Sequence, residues 1–537
     1  MNEYFKDLRI EFEGYNKEKF IKDLMAGATV AAVALPLALA FGVSSGASAA
    51  SGLVTAVVAG LVIGLLGGAF YQISGPTGAM AAILMSIVAQ YGMQGVFVAT
   101  LLAGVFLVAA GVFHMGRVIA YIPMPVITGF TSGISVIIAL GQIDNFFGTT
   151  SSGVSVLGKV ASYFTEGFSP NFSSTFLGLG VVLFMIFFPK KYTKLIPSSL
   201  IAIIIATIIS VIFSLDIARV GEIPKSLFID ERLYLSEFNF MYLNELIAPA
   251  ISIAVLGMVE SLLCGASAGR MVGARLKCDR ELIAQGIGNI LVPFFGGIPA
   301  TAAIARTSVA IKSGAVTRLA GMIHALILLI SMLILAPIMS SIPLCVLAGV
   351  LFVTAFRMNE WGTIKYIFKQ RFKGAIAKFL VTMSATIIFD LTVAILIGVS
   401  LSLIILVAQL SHIKIRYDIF DSNKLTNLKE PIPEGFNKVE VVYIMGAVIF
   451  ANTDAILELA NKTNEKMAVI FSMRGTSYID ISGAGAFLEM LKIVKGKGIP
   501  VYIAGVNDEV KDMMRRSGVV DFLGENNFYW SVEMITK

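Results

Sequence analysis

Charge is what this sequence lacks most. Of 537 residues only 14% are Asp, Glu, Lys or Arg, whereas soluble domains carry about a quarter, and 57% are hydrophobic. Cysteine and histidine are scarce as well, three of each. Cys264, Cys278 and Cys345 show no paired metal spacing and the histidines are scattered, which sets aside a disulfide framework, a zinc site and haem ligation. They offer no catalytic set either, so an enzyme at a membrane face is not expected. No G-x-G-x-x-G or Walker glycine run follows a strand, which speaks against a nucleotide-driven motor. The net charge of +6 needs no nucleic acid to explain it, because cytoplasmic loops of multi-span proteins are rich in Lys and Arg.

What is present is a series of apolar runs of spanning length, such as "DLMAGATVAAVALPLALAFG" from Asp23 and "LVTAVVAGLVIGLLGGAF" from Leu53. The mean hydropathy of +0.84 agrees. Fourteen segments are predicted, near 23–42, 52–69, 77–90, 95–113, 124–141, 173–188, 197–214, 247–268, 282–295, 302–312, 317–337, 343–356, 374–389 and 391–410. A charged leader, residues 1–22, precedes the first and shows no small-residue cleavage site, so a retained first helix is expected. With the amino terminus in the cytoplasm, the inside loops hold Lys190, Lys191 and Lys194, then Arg270, Arg275, Lys277 and Arg280, then Arg357, Lys365, Lys369, Arg371 and Lys373. The outside segments 43–51, 91–94 and 338–342 hold no Lys or Arg, and the largest outside loop, 215–246, is acidic on balance. That asymmetry places both chain ends on the cytoplasmic side of the inner (plasma) membrane.

Two landmarks recur. "IPMPVITG" at Ile122 matches "IPLCVLAG" at Ile342, and "GGAFYQISGPTGAMA" at Gly67 matches "GGIPATAAIA" at Gly296. Their prolines are separated by nearly one offset, Pro123 to Pro343 and Pro76 to Pro299. Seven segments per half is an odd number, so the second half must be inverted in the membrane, about 23–214 against 247–411. Inverted repeats with interrupted helices are the design of many secondary transporters.

In each half a Gly/Pro stretch precedes an apolar segment too short to span. Two half-helices are therefore expected, starting near Thr77 and near Ala302, with their partly positive ends facing at mid-depth as an anion cradle. Gly78, Ala79, Ala302 and Ala303 are small enough to let an anion approach the amides. Arg306 lies about a turn into the second half-helix, where a charge by default faces a cavity and bears on function. The plain alternative is an arginine locked to a carboxylate or to helix-end carbonyls. Glu260 is a carboxylate deep in a span, a candidate proton carrier or else a fixed partner of Arg306. Phe41, five residues after Pro36, either walls the site or simply packs.

"GGIPATAAIARTSVAIKSGAVTRLAGMIHA", "VESLLCGASAG", "ELIAQGIGNI" and "VALPLALAFG" resemble the SulP anion transporters, related to animal solute-carrier family 26, and especially the bacterial branch with bicarbonate transporters. The resemblance implies an α-helical polytopic protein of seven-plus-seven inverted repeats with core and gate domains. It also implies homodimers, a cytoplasmic STAS domain, and a site at Phe41, Thr77, Gly78, Ala79, Ala302, Ala303 and Arg306 with Glu260 as the acidic position. Cys264 and Ile304 stand where threonine oxygens would help hold sodium, and a hard cation wants oxygen ligands. Sodium is thereby disfavoured, and proton coupling or uniport gains.

After a polar linker, residues 412–437, strand and helix patterns alternate over residues 438–537: "VEVVYIMGAVIF", "MAVIFSMRG" and "PVYIAGV" against "TDAILELANKT", "GAGAFLEMLKIVKGKG" and "DEVKDMMRRSG". This small α/β pattern resembles STAS. In "YIDISGAG", Ile481 follows Asp480 where a phosphorylated Ser or Thr stands in the anti-sigma-factor antagonists, so a folding and contact module is expected in place of a phosphoswitch. Transport of a small oxyanion (sulfate, bicarbonate or a dicarboxylate) by proton-coupled alternating access is the expected function, with no cofactor and no metal. Sodium-coupled bicarbonate symport and an anion exchanger or channel are the alternatives.

Overall fold

Long apolar runs must satisfy their backbone internally in a bilayer, and they do so as helices. The computed structural model describes residues 2–117, 122–153, 156–189, 197–234, 236, 242–389, 391–421, 432, 436 and 438–532. Lys190, Lys191, Lys194 and most of the expected linker lie outside the described residues. Contacts divide the chain into residues 1–399 and residues 400–537.

The first unit is built on helices α1 (Lys17–Ser44), α2 (Ala49–Leu66), α3 (Gly78–Val112), α4 (Met124–Gly141), α5 (Phe172–Phe187) and α6 (Ser198–Ile212). The second half supplies α7 (Leu243–Val272), α8 (Cys278–Leu291), α9 (Ile304–Lys312), α10 (Leu319–Ser340), α11 (Leu344–Met358), α12 (Lys373–Ile388) and α13 (Leu391–Leu410). Among the described residues, seven helices are long and apolar enough to cross a membrane alone. Residues 91–94 were expected as a loop. Instead α3 continues through them with a single break at Gly92 (φ 65°, ψ −170°), a backbone conformation that glycine permits. The two arms of α3 thus stand for two expected segments.

Helix starts follow the sequence repeat. Pro123 and Pro343 are the N-cap residues of α4 and α11, matching their shared motif. Helices α1, α2, α3, α7, α8, α9 and α10 pack on one another, and α4, α5, α6, α11 and α12 form a second group; Gly398 of α13 lies against Val126 and Thr382 of that group. Small residues set the close approaches. A methyl on Gly52 of α2 would strike the Ala38 carbonyl of α1, and one on Gly104 of α3 would lie 2.7 Å from the Gly286 carbonyl of α8. Without a hydrophobic drive between helices in lipid, such backbone-to-backbone packing is what joins them.

Three boundaries differ from the sequence reading. α1 starts at Lys17, not Asp23, because the Asp23 carboxylate does not end the helix. It is fully buried and accepts from the amides of Val316 (2.7 Å) and Thr317 (3.1 Å), from the Thr317 hydroxyl (2.6 Å) and from Tyr15 (3.0 Å). The leader folds as well. Asn2–Glu11 is a helix whose Glu11 pairs with Arg318 at 2.8 Å, both largely buried. Finally, the expected linker begins as strand: β3 (Lys414–Asp421) pairs antiparallel with β4 (Lys438–Val448). Ile415, Tyr417 and Ile419 alternate with charged residues there, the period of a strand.

The second unit is a five-stranded sheet in the order β3, β4, β5 (Ala468–Ile479), β6 (Val501–Ala504), β7 (Phe528–Tyr529), parallel from β4 onward. Helices Ile481–Gly496 and Asp508–Arg516 lie along one face, where Ile444, Phe471, Met473, Phe487 and Met490 form the core. Asp480 caps the first of these helices, accepting from the Gly483 amide at 2.7 Å and from the Phe450 amide at 2.9 Å, while Ile481 is 76% exposed.

Candidate functional site

Two short strands and two helix starts make the site. β1 (Ser74–Gly75) pairs antiparallel with β2 (Thr301–Ala302), Ser74 opposite Ala302 and Gly75 opposite Thr301. A helix begins just beyond each strand: α3 at Gly78 with Thr77 as N-cap, and α9 at Ile304 with Ala303 as N-cap. Because the strands run oppositely, the two helix starts face each other across the ladder. Their first amides have no acceptor within their own helix and carry the positive end of the dipole. With nine residues α9 is about 13 Å long, far short of the roughly 30 Å of a bilayer core.

Neither N-cap side chain caps its own helix. The Thr77 hydroxyl instead donates to Glu260 Oε2 at 3.0 Å, bringing the half-buried carboxylate of α7 to the start of α3. Phe41 and Ile138 close over Gly78: a Cβ there would lie 2.8 Å from Phe41 Cε1 and 2.5 Å from Ile138 Cδ1. Phe41 comes from α1 and Ile138 from α4, so both helix groups meet at this point. Ala79 is buried next to it.

On the other side the sequence reading needs adjustment. The Ala302 amide donates to Ser261 Oγ (3.2 Å) and the Ala303 amide to the Ile73 carbonyl (2.9 Å), so both are taken by the protein. An anion would have to use the next amides, those of Ile304 to Arg306, and Ile304 and Ala305 are exposed. The shift arises because residues 301–302 stay extended as β2 and delay the helix.

Arg306 is 1% exposed, and its Nη2 donates to the Pro76 carbonyl at 2.7 Å. It thus ties the second half-helix to the residue just before Thr77. Among the described residues its Nη1 has no protein partner. Among the described residues no ion pair joins Arg306 to Glu260; the hydrogen-bond partner observed is the Pro76 carbonyl, just before the N-cap of α3.

Around this centre lies a set of hydroxyls that sequence reasoning passed over. Ser261 and Thr301 share a hydrogen bond of 2.8 Å. Thr307 Oγ1 accepts from the Ile73 amide at 3.0 Å and from Cys264 Sγ at 3.3 Å. Thr55 Oγ1 accepts from the Ile298 amide at 2.7 Å. Ser and Thr inside apolar spans, facing residues that break a helix, were the available signal. Among the described residues no group of three or more His, Cys, Asp or Glu side chains could hold a metal ion. The arrangement can hold a small anion by amides and a buried cation, with a titratable carboxyl group alongside.

The family models agree with this architecture. Residues 20–383 match the Sulfate permease family and residues 431–534 the STAS domain. The Bacillus subtilis protein YvdB is 33% identical over 98% of this chain and 99% of its own length. The bicarbonate transporter BicA of Synechocystis is 32% identical over 94% of this chain and 92% of its own. The fold is also that of the murine Solute Carrier 26 family member A9 anion transporter in the inward-facing state, with a TM-score of 0.83 at 18% identity over 97% of this chain and 91% of that one. Paired half-helices, two helix groups and a STAS sheet are thus found together with these matches, and the chain belongs to the sulfate permease family: it is a multi-pass membrane anion transporter, not an enzyme, with a carboxy-terminal STAS domain.

Proposed function

We propose that this transporter takes up a small oxyanion, sulfate, bicarbonate or a dicarboxylate, by secondary-active alternating access coupled to protons. The observation that carries the reading is the β1–β2 pair, which sets two helix starts face to face with amides left over for an anion. Sulfate is supported by the family description and bicarbonate by the similarity to BicA. Thr77, Gly78 and Ala79 would offer one set of amides and Ile304 to Arg306 the other, behind Ala302 and Ala303. Phe41 would wall the pocket and the Arg306 charge would favour the anion.

Glu260 is the proton carrier in this reading. Its carboxyl group touches the N-cap of α3, so its protonation state acts directly on the field an anion meets there. A proton on Glu260 and an anion on the helix starts would favour each other by the same factor, as linkage requires. Sodium is not assigned the role, because a thiol at Cys264 and an alkyl chain at Ile304 give it no oxygen. The protein works as a homodimer in the plasma membrane with both termini in the cytoplasm, and the STAS domain serves as a folding and contact module. The test is uptake of radiolabelled sulfate, bicarbonate and fumarate into proteoliposomes under imposed pH and sodium gradients. Uptake of one of them that rises with outside acidity and ignores sodium is expected; sodium-driven uptake would overturn the coupling.

A further inference from the structure

Helix α8 carries three polar side chains four residues apart, Glu281, Gln285 and Asn289, each 1% exposed or less. A spacing of four keeps them on one face. Buried polar groups are costly unless hydrogen-bonded, and among the described residues only Gln285 Oε1 of this set lacks a partner. Their partners show what they hold. Glu281 Oε2 accepts from the Gly68 amide at 2.8 Å, where the chain leaves α2 for the first break. Gln285 Nε2 donates to Glu281 Oε1 and to Ser74 Oγ of β1, both at 2.9 Å. Asn289 clasps Ala300, just before β2: its Oδ1 accepts from the Ala300 amide at 2.8 Å and its Nδ2 donates to the Ala300 carbonyl at 2.9 Å.

One helix face therefore grips both broken segments, the first at Gly68 and Ser74 and the second at Ala300. The grip is needed because the β1–β2 ladder is only two residues long on each side, and so short a pair does not hold itself. α8 is in turn a firm platform. Gly286 sits against the α3 backbone at Gly104, and a Cβ on Gly288 would lie 2.5 Å from Ile63 of α2. We propose that the Glu281–Gln285–Asn289 face of α8 is the positioning element of the anion site. It fixes the distance between the starts of α3 and α9, and so determines which size of oxyanion is admitted. These are positioning residues, since none of them touches the anion, and the inference rests on the reading that the anion sits between the two helix starts.

The test uses the full-length protein in proteoliposomes, with initial rates for radiolabelled sulfate, bicarbonate and fumarate in Gln285→Leu, Asn289→Leu and Asn289→Asp, and with Gly78→Leu as the probe of the site itself. Gln285→Leu and Asn289→Leu should raise KM for the best-carried anion by roughly tenfold, the loss of one or two buried hydrogen bonds, and should change the ratio of KM values among the three anions. Asn289→Asp separates positioning from folding. Its protonated acid can both accept from and donate to Ala300, whereas its carboxylate can only accept, so KM should lie near the wild-type value in acid and rise with pH more steeply than in the wild type. Unchanged KM ratios in the Leu variants, or an Asn289→Asp profile parallel to wild type, would overturn the positioning role while loss of uptake in Gly78→Leu leaves the site in place. Wild-type affinity in Gly78→Leu would overturn the site reading and this inference with it. Where the Leu variants do not fold, the Asn289→Asp profile decides.

Discussion

Gly75→Ala is a one-methyl test of how tightly Arg306 is seated. The added carbon would stand 2.6 Å from Arg306 Nη1, 3.3 Å from its Cζ and 3.4 Å from the Ala56 Cα. Backbone lies on one side, so the guanidinium must yield, from 2.6 Å to at least the 3.4 Å of ordinary contact. Yielding strains its 2.7 Å bond to the Pro76 carbonyl. A hydrogen bond to a charged group contributes about 1.5–3 kcal/mol, and overpacking a well-filled site costs about 1–3 kcal/mol; these overlap, since yielding relieves the clash, so about 3 kcal/mol is expected. The assay is thermal unfolding of the purified protein with KM measured in liposomes, for Gly75→Ala, Arg306→Met and the double variant. In the double variant the flexible thioether relieves the clash, so a coupling of about 2 kcal/mol should separate it from the sum of the singles. Strict additivity, or a Gly75→Ala protein with wild-type melting and KM, would show that the guanidinium is not held where its bond to Pro76 puts it.

Four further outcomes are expected. Glu260→Gln should keep anion exchange but lose accumulation driven by outside acidity, which counterflow and gradient-driven uptake measure separately. Thr77→Val removes the hydroxyl that Glu260 accepts from and should shift the pH at which uptake is half-maximal, leaving maximal rate within about threefold, the scale of one hydrogen bond. Arg306→Ala should weaken anion affinity by about 1.5–3 kcal/mol, and Arg306→Lys should restore only part, because the fork that reaches Pro76 is lost; equilibrium binding checks both. Glu11→Gln leaves Arg318 buried against a neutral partner and should lower stability by up to about 3 kcal/mol, read as a lower unfolding temperature with KM unchanged.

The breaks in the spans were legible because Gly and Pro cluster there just before a short apolar segment: Pro76, Thr77 and Gly78 could be placed at a helix start from their order alone. The inverted halves were legible for the same reason, through Pro123 and Pro343. What escaped was set by partners far away in the chain. That Ala302 and Ala303 spend their amides depends on Ser261 and on Ile73, and no local pattern names those acceptors. Asp23 reads as the edge of a span, and the amides of Val316 and Thr317 with the hydroxyls of Thr317 and Tyr15 let it sit inside one. The polar row on α8 was visible as "ELIAQGIGNI", but one helix face of Glu, Gln and Asn does not say which backbone it will hold. Arg306 was placed correctly in the second half-helix, while its choice of a carbonyl over a carboxylate was decided by where β1 brings Pro76.

The amino-terminal helix has a practical consequence. Tyr4 donates to the Leu65 carbonyl of α2, Asp7 pairs with Arg280 of α8 at 2.7 Å, and Glu11 pairs with Arg318 at the start of α10. All three anchors belong to the helix group that carries both half-helices, and none to the group of α4, α5, α6, α11 and α12. A fluorophore or spin label placed on this helix would therefore ride with the site, and a second label on α4 or α11 would supply a fixed ruler. The distance between the two labels, followed while anion is added, would turn a segment with no part in binding into a gauge of the transport cycle.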